Sequence, residues 1–283
     1  MNVKHGLNLL VYTAAFSPAD GDLIARAADQ GYDGVEILFG DLSTLDAPAI
    51  RAALSAAGMG LTACGVMPED ANPCSPDAGV RAAALARLKQ MVDLTAEMGG
   101  DAVCGPLYSP VRYLTGQACT ADEWQCCAEV LAAAADHAGR AGIGLCLEPL
   151  NRFETYVLTT IGDAVRMCQE VGSPSLKVQV DTFHANIEER DTAAAIRAAG
   201  PYVGHFHASE SYRGTPGTGQ VRWLEVFQAL RDIGYDRWVT IESFATGIVD
   251  LCAAACIWRP IYDTADELAT AGLAFLKDVE SRV

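Results

Sequence analysis

Short apolar runs alternate with longer amphipathic stretches along the chain, and that alternation predicts a parallel α/β fold. Eight runs read as strands: LNLLVY (7–12), GVEIL (34–38), LTACGV (61–66), DAVCGP (101–106), IGLCLEP (143–149), LKVQVD (176–181), VGHFHA (203–208) and WVTIES (238–243). Segments with helical spacing lie between them, such as PADGDLIARAADQG (18–31) and EWQCCAEVLAAAADHAGRAG (123–142). Turn phrases recur ahead of strands, in QGYDGVEI, EMGGDAVCG, RAGIGLCLE and IGYDRWVTIE; a glycine there can take the left-handed conformation that ends a helix. Eight strands is the number that closes a barrel, so the expected fold is an α/β, (β/α)8 TIM barrel, with a doubly wound sheet as the competing arrangement. No linker, low-complexity tract or charge run divides the chain, which predicts a single domain over 1–283.

In a parallel barrel the active site lies at the C-terminal strand ends. Four consecutive strands end in candidate ligands: Glu148, Asp181, His207 and Glu242, while Glu36 and Asn8 lie near two further strand ends. Taken singly, a carboxylate at a strand end is often a helix cap or a solvated group, and a lone histidine is more often structural than a ligand. Taken together, three carboxylates behind apolar strands would repel one another and take up protons unless a divalent cation joined them. Three carboxylates with one imidazole suit Mn²⁺, Co²⁺ or Mg²⁺ better than a thiolate-seeking metal. Three of the four are followed in their own loops by a second polar group: Glu154 after Glu148, His184 after Asp181 and Arg213 after His207. These could hydrogen-bond a polyhydroxylated ligand over the metal, or Glu154 and Arg213 could pair or face water. The GxG in PGTGQVRW (216–223) reads as a turn before the following helix and not as a phosphate loop.

Charge narrows the partners. With 20 Lys+Arg against 36 Asp+Glu, the formal net charge is -16, which disfavours nucleic acid, anionic membrane and phosphorylated sugars, and admits a small neutral substrate. The ten cysteines include no CxxC pair, and several sit in apolar runs, so they read as reduced, mostly buried small hydrophobes of a cytoplasmic protein. The N-terminal MNVKHGLNLLVYT lacks the long apolar core of a secretory signal, and no stretch approaches the roughly 18 apolar residues of a membrane span.

The segments LEPLNRFE, VQVDTFHANIEE, GHFHASES and VTIESF resemble the ketose 3-epimerases of the D-tagatose, D-allulose and L-ribulose group, within the xylose-isomerase-like TIM barrels. The resemblance covers the whole chain and is densest over 143–259. It implies a Mn²⁺-type metal on Glu148, Asp181, His207 and Glu242, with Glu148 and Glu242 also the acid/base pair. It further implies sugar contacts from Glu154, His184 and Arg213, and a homodimer or homotetramer. The C-terminal IWRPIYD is similar to the family's segment after strand eight. The stretches 65–76 and 105–116 depart from the D-tagatose enzymes and are closer to the GPLYS pattern of the L-ribulose and D-allulose enzymes. The implied reaction removes the C3 hydrogen of a ketose to give an enediolate and returns a proton from the opposite face. Its rivals are a 1,2-aldose–ketose isomerase on the same ligands, a metal-dependent abasic-site nuclease, which the five histidines and the charge disfavour, and a non-catalytic sugar-binding protein.

Overall fold

The computed structural model describes residues 1–283, save the side chain of Pro18. The strands β1 (Lys4–Asn8), β2 (Gly34–Phe39), β3 (Gly60–Gly65), β4 (Ala102–Gly105), β5 (Gly144–Leu147), β6 (Leu176–Asp181), β7 (Val203–Ala208) and β8 (Trp238–Ile241) pair in chain order as a closed barrel. Every neighbouring pair is parallel, and β8 closes onto β1 through Val239–His5 and Ile241–Leu7. The barrel, not the doubly wound sheet, is the fold.

Around it run α1 (Asp22–Asp29), α2 (Ala47–Ala57), α3 (Ala78–Met98), α4 (Ala121–Ala141), α5 (Ile161–Val171), α6 (Thr182–Glu188), α7 (Thr192–Ala199), α8 (Trp223–Asp232), α9 (Val249–Ala255) and α10 (Ala265–Ser281). The glycines of the four recurring turn phrases, Gly31, Gly99, Gly142 and Gly234, all have positive φ, as a helix-ending turn requires. At its start, α4 carries the reciprocal cap of Thr120 and Glu123, each side chain accepting from the other's backbone N–H. The core is the shell between strands and helices, where Leu145, Leu147, Val178, Val180, Phe206 and Ile241 are all buried. At the N-terminal end, the Trp238 ring lies against Gly34 and Gly60, where any Cβ would collide with it. No helix among the described residues is long and apolar enough to cross a membrane.

The first strand lies elsewhere than the sequence predicts. The apolar run LNLLVY at 7–12 is strand only to Asn8; Leu9–Val11 wind into a 3-10 turn. The cause is Asn8, whose Oδ1 accepts the Leu10 N–H at 3.0 Å and turns the chain. Leu9, Leu10 and Val11 stay buried in the turn, so their hydrophobicity did not separate the two conformations. Likewise α1 begins at Asp22, after a 3-10 turn over Pro18–Asp20, rather than at residue 18.

Candidate active site

The four strand-end residues meet. Asp181 ends β6, His207 lies in β7, and Glu148 and Glu242 each stand one residue past their strands. Glu148 is still held in the sheet's line, its N–H donating to the Gly105 carbonyl at 3.0 Å. One donor atom from each of the four lies within 4.8 Å of all the others, and all four residues are buried. His207 Nδ1 stands 3.1 Å from Glu242 Oε1, 3.8 Å from Asp181 Oδ2 and 3.9 Å from Glu148 Oε1.

The loop residues arrive over this floor. Arg213 Nη1 donates to Glu242 Oε2 at 2.5 Å, to Ser209 Oγ at 3.0 Å and to Asp181 Oδ2 at 3.4 Å. Its guanidinium carbon sits 3.9 Å from the Phe183 ring centroid, so the charge is clamped by carboxylates on its edge and an aromatic on its face. Arg213 has φ +66°, an unusual conformation for a side chain with a Cβ. Glu210 supports that turn: its buried carboxylate accepts from the N–H groups of Ser211, Gly217 and Val221 and from Trp223 Nε1. His184 Nδ1 accepts the Asn151 N–H at 3.0 Å, and its Nε2 lies 3.1 Å from Arg213 Nη2. Glu154 accepts from Asn151 Nδ2 at 2.8 Å rather than pairing with Arg213.

These groups line a cavity of about 400 Å³, within the range of roughly 300–1,000 Å³ usual for small-molecule sites. Glu69, Glu148, Glu154, His184, Arg213 and Glu242 supply its charged and polar surface. Leu10, Leu38, Val66, Met67, Val111 and Phe244 supply apolar walls, so both departing stretches, 65–76 and 105–116, reach the site. An adjoining cavity of about 630 Å³ shares Glu154, Arg213 and Ala255 and continues outward past Phe153 and Trp258.

On the protein's charges alone the floor is short of positive charge. Burial, reinforced by Glu242, pushes Glu148 well above the usual carboxylate range. Burial lifts Asp181 to about 7 against the opposing pull of Arg213. For Glu242 burial also opposes ionisation, but His207 and Arg213 outweigh it and hold the carboxyl at about 2. Burial works against a charged His207, yet Glu36 and Glu242 raise it well above its ordinary value. Burial and then Arg213 keep His184 neutral. Three carboxylate oxygens and one imidazole nitrogen, two of the carboxyls driven toward protonation, form a donor set that a divalent cation fits.

Residues 24–279 match the xylose isomerase-like TIM barrel family. The D-psicose 3-epimerase of Agrobacterium fabrum is 36% identical over 270 residues, covering 93% of each chain. The L-ribulose 3-epimerase of Mesorhizobium japonicum is 34% identical over 269 residues, 94% of this chain and 90% of that one. The chain belongs to the ketose 3-epimerases of this barrel family. Among solved ketose 3-epimerases, the Methylomonas sp. D-allulose 3-epimerase in complex with D-allulose superposes with a TM-score of 0.93 at 31% identity, covering 98% of this chain and 97% of that one.

In this ketose 3-epimerase Glu148, Glu154, His184, Arg213 and Glu242 line one cavity, and Asp181 and His207 cluster with Glu148 and Glu242 beside it. Glu36 differs from expectation: β2 runs on to Phe39, so Glu36 is mid-strand, a layer below the rim. The layer it occupies is polar, holding Thr62, Gln179, His205 and Thr240, all buried. The sequence held a signal for part of it: strand residues two apart share a face, so Gln179, His205 and Thr240 lie beneath Asp181, His207 and Glu242. Asn151 and Glu210 carried no such signal, because their partners are set by loop conformation.

Proposed function

We propose that this chain is a metal-dependent epimerase that inverts C3 of free ketoses, with Glu148, Asp181, His207 and Glu242 holding the cation and Glu148 and Glu242 moving the proton. The observation that carries this reading is the meeting of Glu148, Asp181, His207 and Glu242, one donor atom of each within 4.8 Å of the others, with Glu148 and Glu242 entering one cavity from β5 and β8. Two carboxylates in one pocket can serve in turn as base and as acid. Epimerisation needs both roles, since one group takes the C3 proton and the other returns one to the opposite face.

A bound divalent cation would supply the positive charge that stabilises the negative charge developing on O2 and O3 of the sugar. The remaining work falls to side chains. Neutral His184, Arg213 and Glu154 hold the sugar's hydroxyls. The apolar walls limit water around the carbanionic carbon.

Mn²⁺ is our reading of the native metal, with Co²⁺ or Mg²⁺ as substitutes, because the donors are mainly carboxylate oxygen. We also propose that residues 1–283 act as one domain and assemble as a homodimer or homotetramer. Exposed Phe153 and Trp258, 68% and 76% accessible at the mouth of the outer cavity, support an assembly. A cytoplasmic setting fits ten free cysteines, six of them buried.

The test is to incubate Mn²⁺-loaded protein with fructose, tagatose and ribulose in D₂O and resolve the products. C3 epimers carrying deuterium at C3 and none at C1 are expected. Label at C1 with an aldose product would replace the epimerase by a 1,2-isomerase.

A further inference from the structure

Glu36 is 0% exposed and lies in the interior of the barrel, where branched apolar side chains are the rule. Its carboxylate collects donors from four strands. Oε1 accepts from Asn8 Nδ2 at 2.8 Å and from His207 Nε2 at 2.7 Å. Oε2 accepts from Thr62 Oγ1 at 2.8 Å and from the Cys104 thiol at 3.1 Å, and His205 Nε2 is 2.8 Å from it. The Asn8 amide cannot turn round, because its own Oδ1 is engaged by the Leu10 N–H at 3.0 Å. Donors therefore point inward at an anion. Although Glu36, Cys104, His205 and His207 are close enough to ligate a metal, the centre of the cluster is the carboxylate itself, and a cation there would face the hydrogens of Asn8 and Thr62.

The contact with His207 has a chemical consequence. β2 and β7 are not neighbours in the barrel, so Glu36 reaches His207 across the interior, from below the ligand floor. An imidazole that gives its Nε2 hydrogen to a carboxylate keeps Nδ1 as the nitrogen with a free lone pair. Nδ1 is the atom that faces Glu148, Asp181 and Glu242 at 3.1–3.9 Å, with the Gln179 side-chain amide 2.9 Å away.

We propose that Glu36 is the positioning residue of the metal site: it fixes His207 as the Nε2–H tautomer, aims Nδ1 at the cation and makes that nitrogen a stronger donor. Asn8, Thr62 and Cys104 hold the carboxylate in place for this task. The inference rests on the proposed ligand set, and concerns how the histidine in it is oriented. A carboxylate behind a ligating histidine contributes about 10–100-fold to metal affinity.

The experiment compares wild type with Glu36→Gln, both stripped of metal and titrated with Co²⁺ against a competing chelator. The variant should bind Co²⁺ about 10–100-fold more weakly. Its visible Co²⁺ absorption should shift, because the imidazole rotates and donates less. A role in folding alone would lower the melting temperature of the metal-free variant yet leave the affinity and the Co²⁺ band as in wild type, and that result overturns the inference. A second measurement needs no substitution at Glu36. In Cd²⁺-loaded wild type with ¹⁵N-labelled histidine, His207 should show a protonated Nε2 and a cadmium-coupled Nδ1; the reverse pattern overturns the inference even if Glu36→Gln does not fold. Wild type that binds neither Co²⁺ nor Cd²⁺ would remove the ligand set itself, and this inference with it.

Discussion

The two halves of the barrel bring different things to one cavity. The strand ends of β5 to β8 carry Glu148, Asp181, His207 and Glu242, and the loops behind them carry Glu154, His184 and Arg213. The corresponding positions of β1 to β4 carry mostly apolar or small groups, Leu10, Leu38, Cys64, Val66, Met67, Pro106 and Val111, with the exposed Glu69 as the charged group among them. The first half's one ionised group at the centre, Glu36, is turned inward and touches the second half from below. The division is physical. Ionised side chains in a buried floor are stable only in mutual contact, so they cluster on adjacent strands. What faces the far end of a substrate needs only shape, and can differ between enzymes that share the chemistry.

The sharpest way to break this comparison is to remove a reagent from the second half. Glu148→Gln and Glu242→Gln should each lower kcat by about 10²–10⁴-fold, the usual weight of a general acid or base. An amide of nearly the same shape cannot take the proton but can still contact the cation through its oxygen. One variant should still exchange the C3 hydrogen of a given ketose in D₂O without forming its epimer, and the other should do so from the epimer. Steady-state rates and C3 exchange by NMR read this out; near-normal turnover in the double variant would end the assignment.

Metal removal comes next. Exhaustive chelation should abolish epimerisation, and Mn²⁺ or Co²⁺ should restore it. Because a ligand held only by the folded state stabilises it by about 2.7 kcal/mol at a hundredfold excess over Kd, melting should rise by several degrees on adding metal. Asp181→Asn and His207→Ala should lose that rise together with bound metal. Full activity in a verified metal-free sample would refute the site.

A smaller, graded effect is expected with pH. Burial raises Asp181 to about 7 and pushes Glu148 well above the usual carboxylate range when only protein charges act on them. A raised carboxyl pKa means that the proton is held below that value, so a cation binding there must displace it. Apparent affinity should therefore fall as pH drops through about 7, by about tenfold per unit for each proton displaced. Chelator competition between pH 5 and 8 measures the slope. A flat profile would mean that the carboxyls are ionised without metal and that the charge deficit is met by other means.

Much of the second half was legible in the sequence, because a ligand at the end of each of four apolar runs is a pattern that strand alternation places on one rim. The fold was legible for the same reason, in the spacing of the runs. What escaped was conformation decided by single hydrogen bonds. Asn8 ends β1 four residues earlier than the apolar run 7–12 implied, since its side chain starts a turn that buries the same residues. Glu36 read as a strand-end group when it is mid-strand, because β2 is apolar past it to Phe39 and periodicity does not fix where a strand stops. Arg213 was found, but the left-handed turn that delivers it, and the Glu210 carboxylate that ties that turn, belong to a loop with no period to read.

The smallest expected effect tests the first half. Val66 and Val111 line the cavity from the loops after β3 and β4, and both are partly exposed, so trimming them costs little core packing. If these loops govern only the distal carbons, Val66→Ala and Val111→Ala should leave Mn²⁺ affinity and C3 exchange chemistry intact. They should change the ratio of kcat/KM between six-carbon and five-carbon ketoses by roughly tenfold, the lower end of what one or two methyl groups achieve in an apolar pocket. The direction should favour fructose and tagatose over ribulose, because the added space lies where a longer chain ends. Competition assays with mixed ketoses measure the ratio directly. Equal losses on every ketose, or a change in metal affinity, would show that the first half takes part in the chemistry and that the halves are not separable in the way their side chains imply.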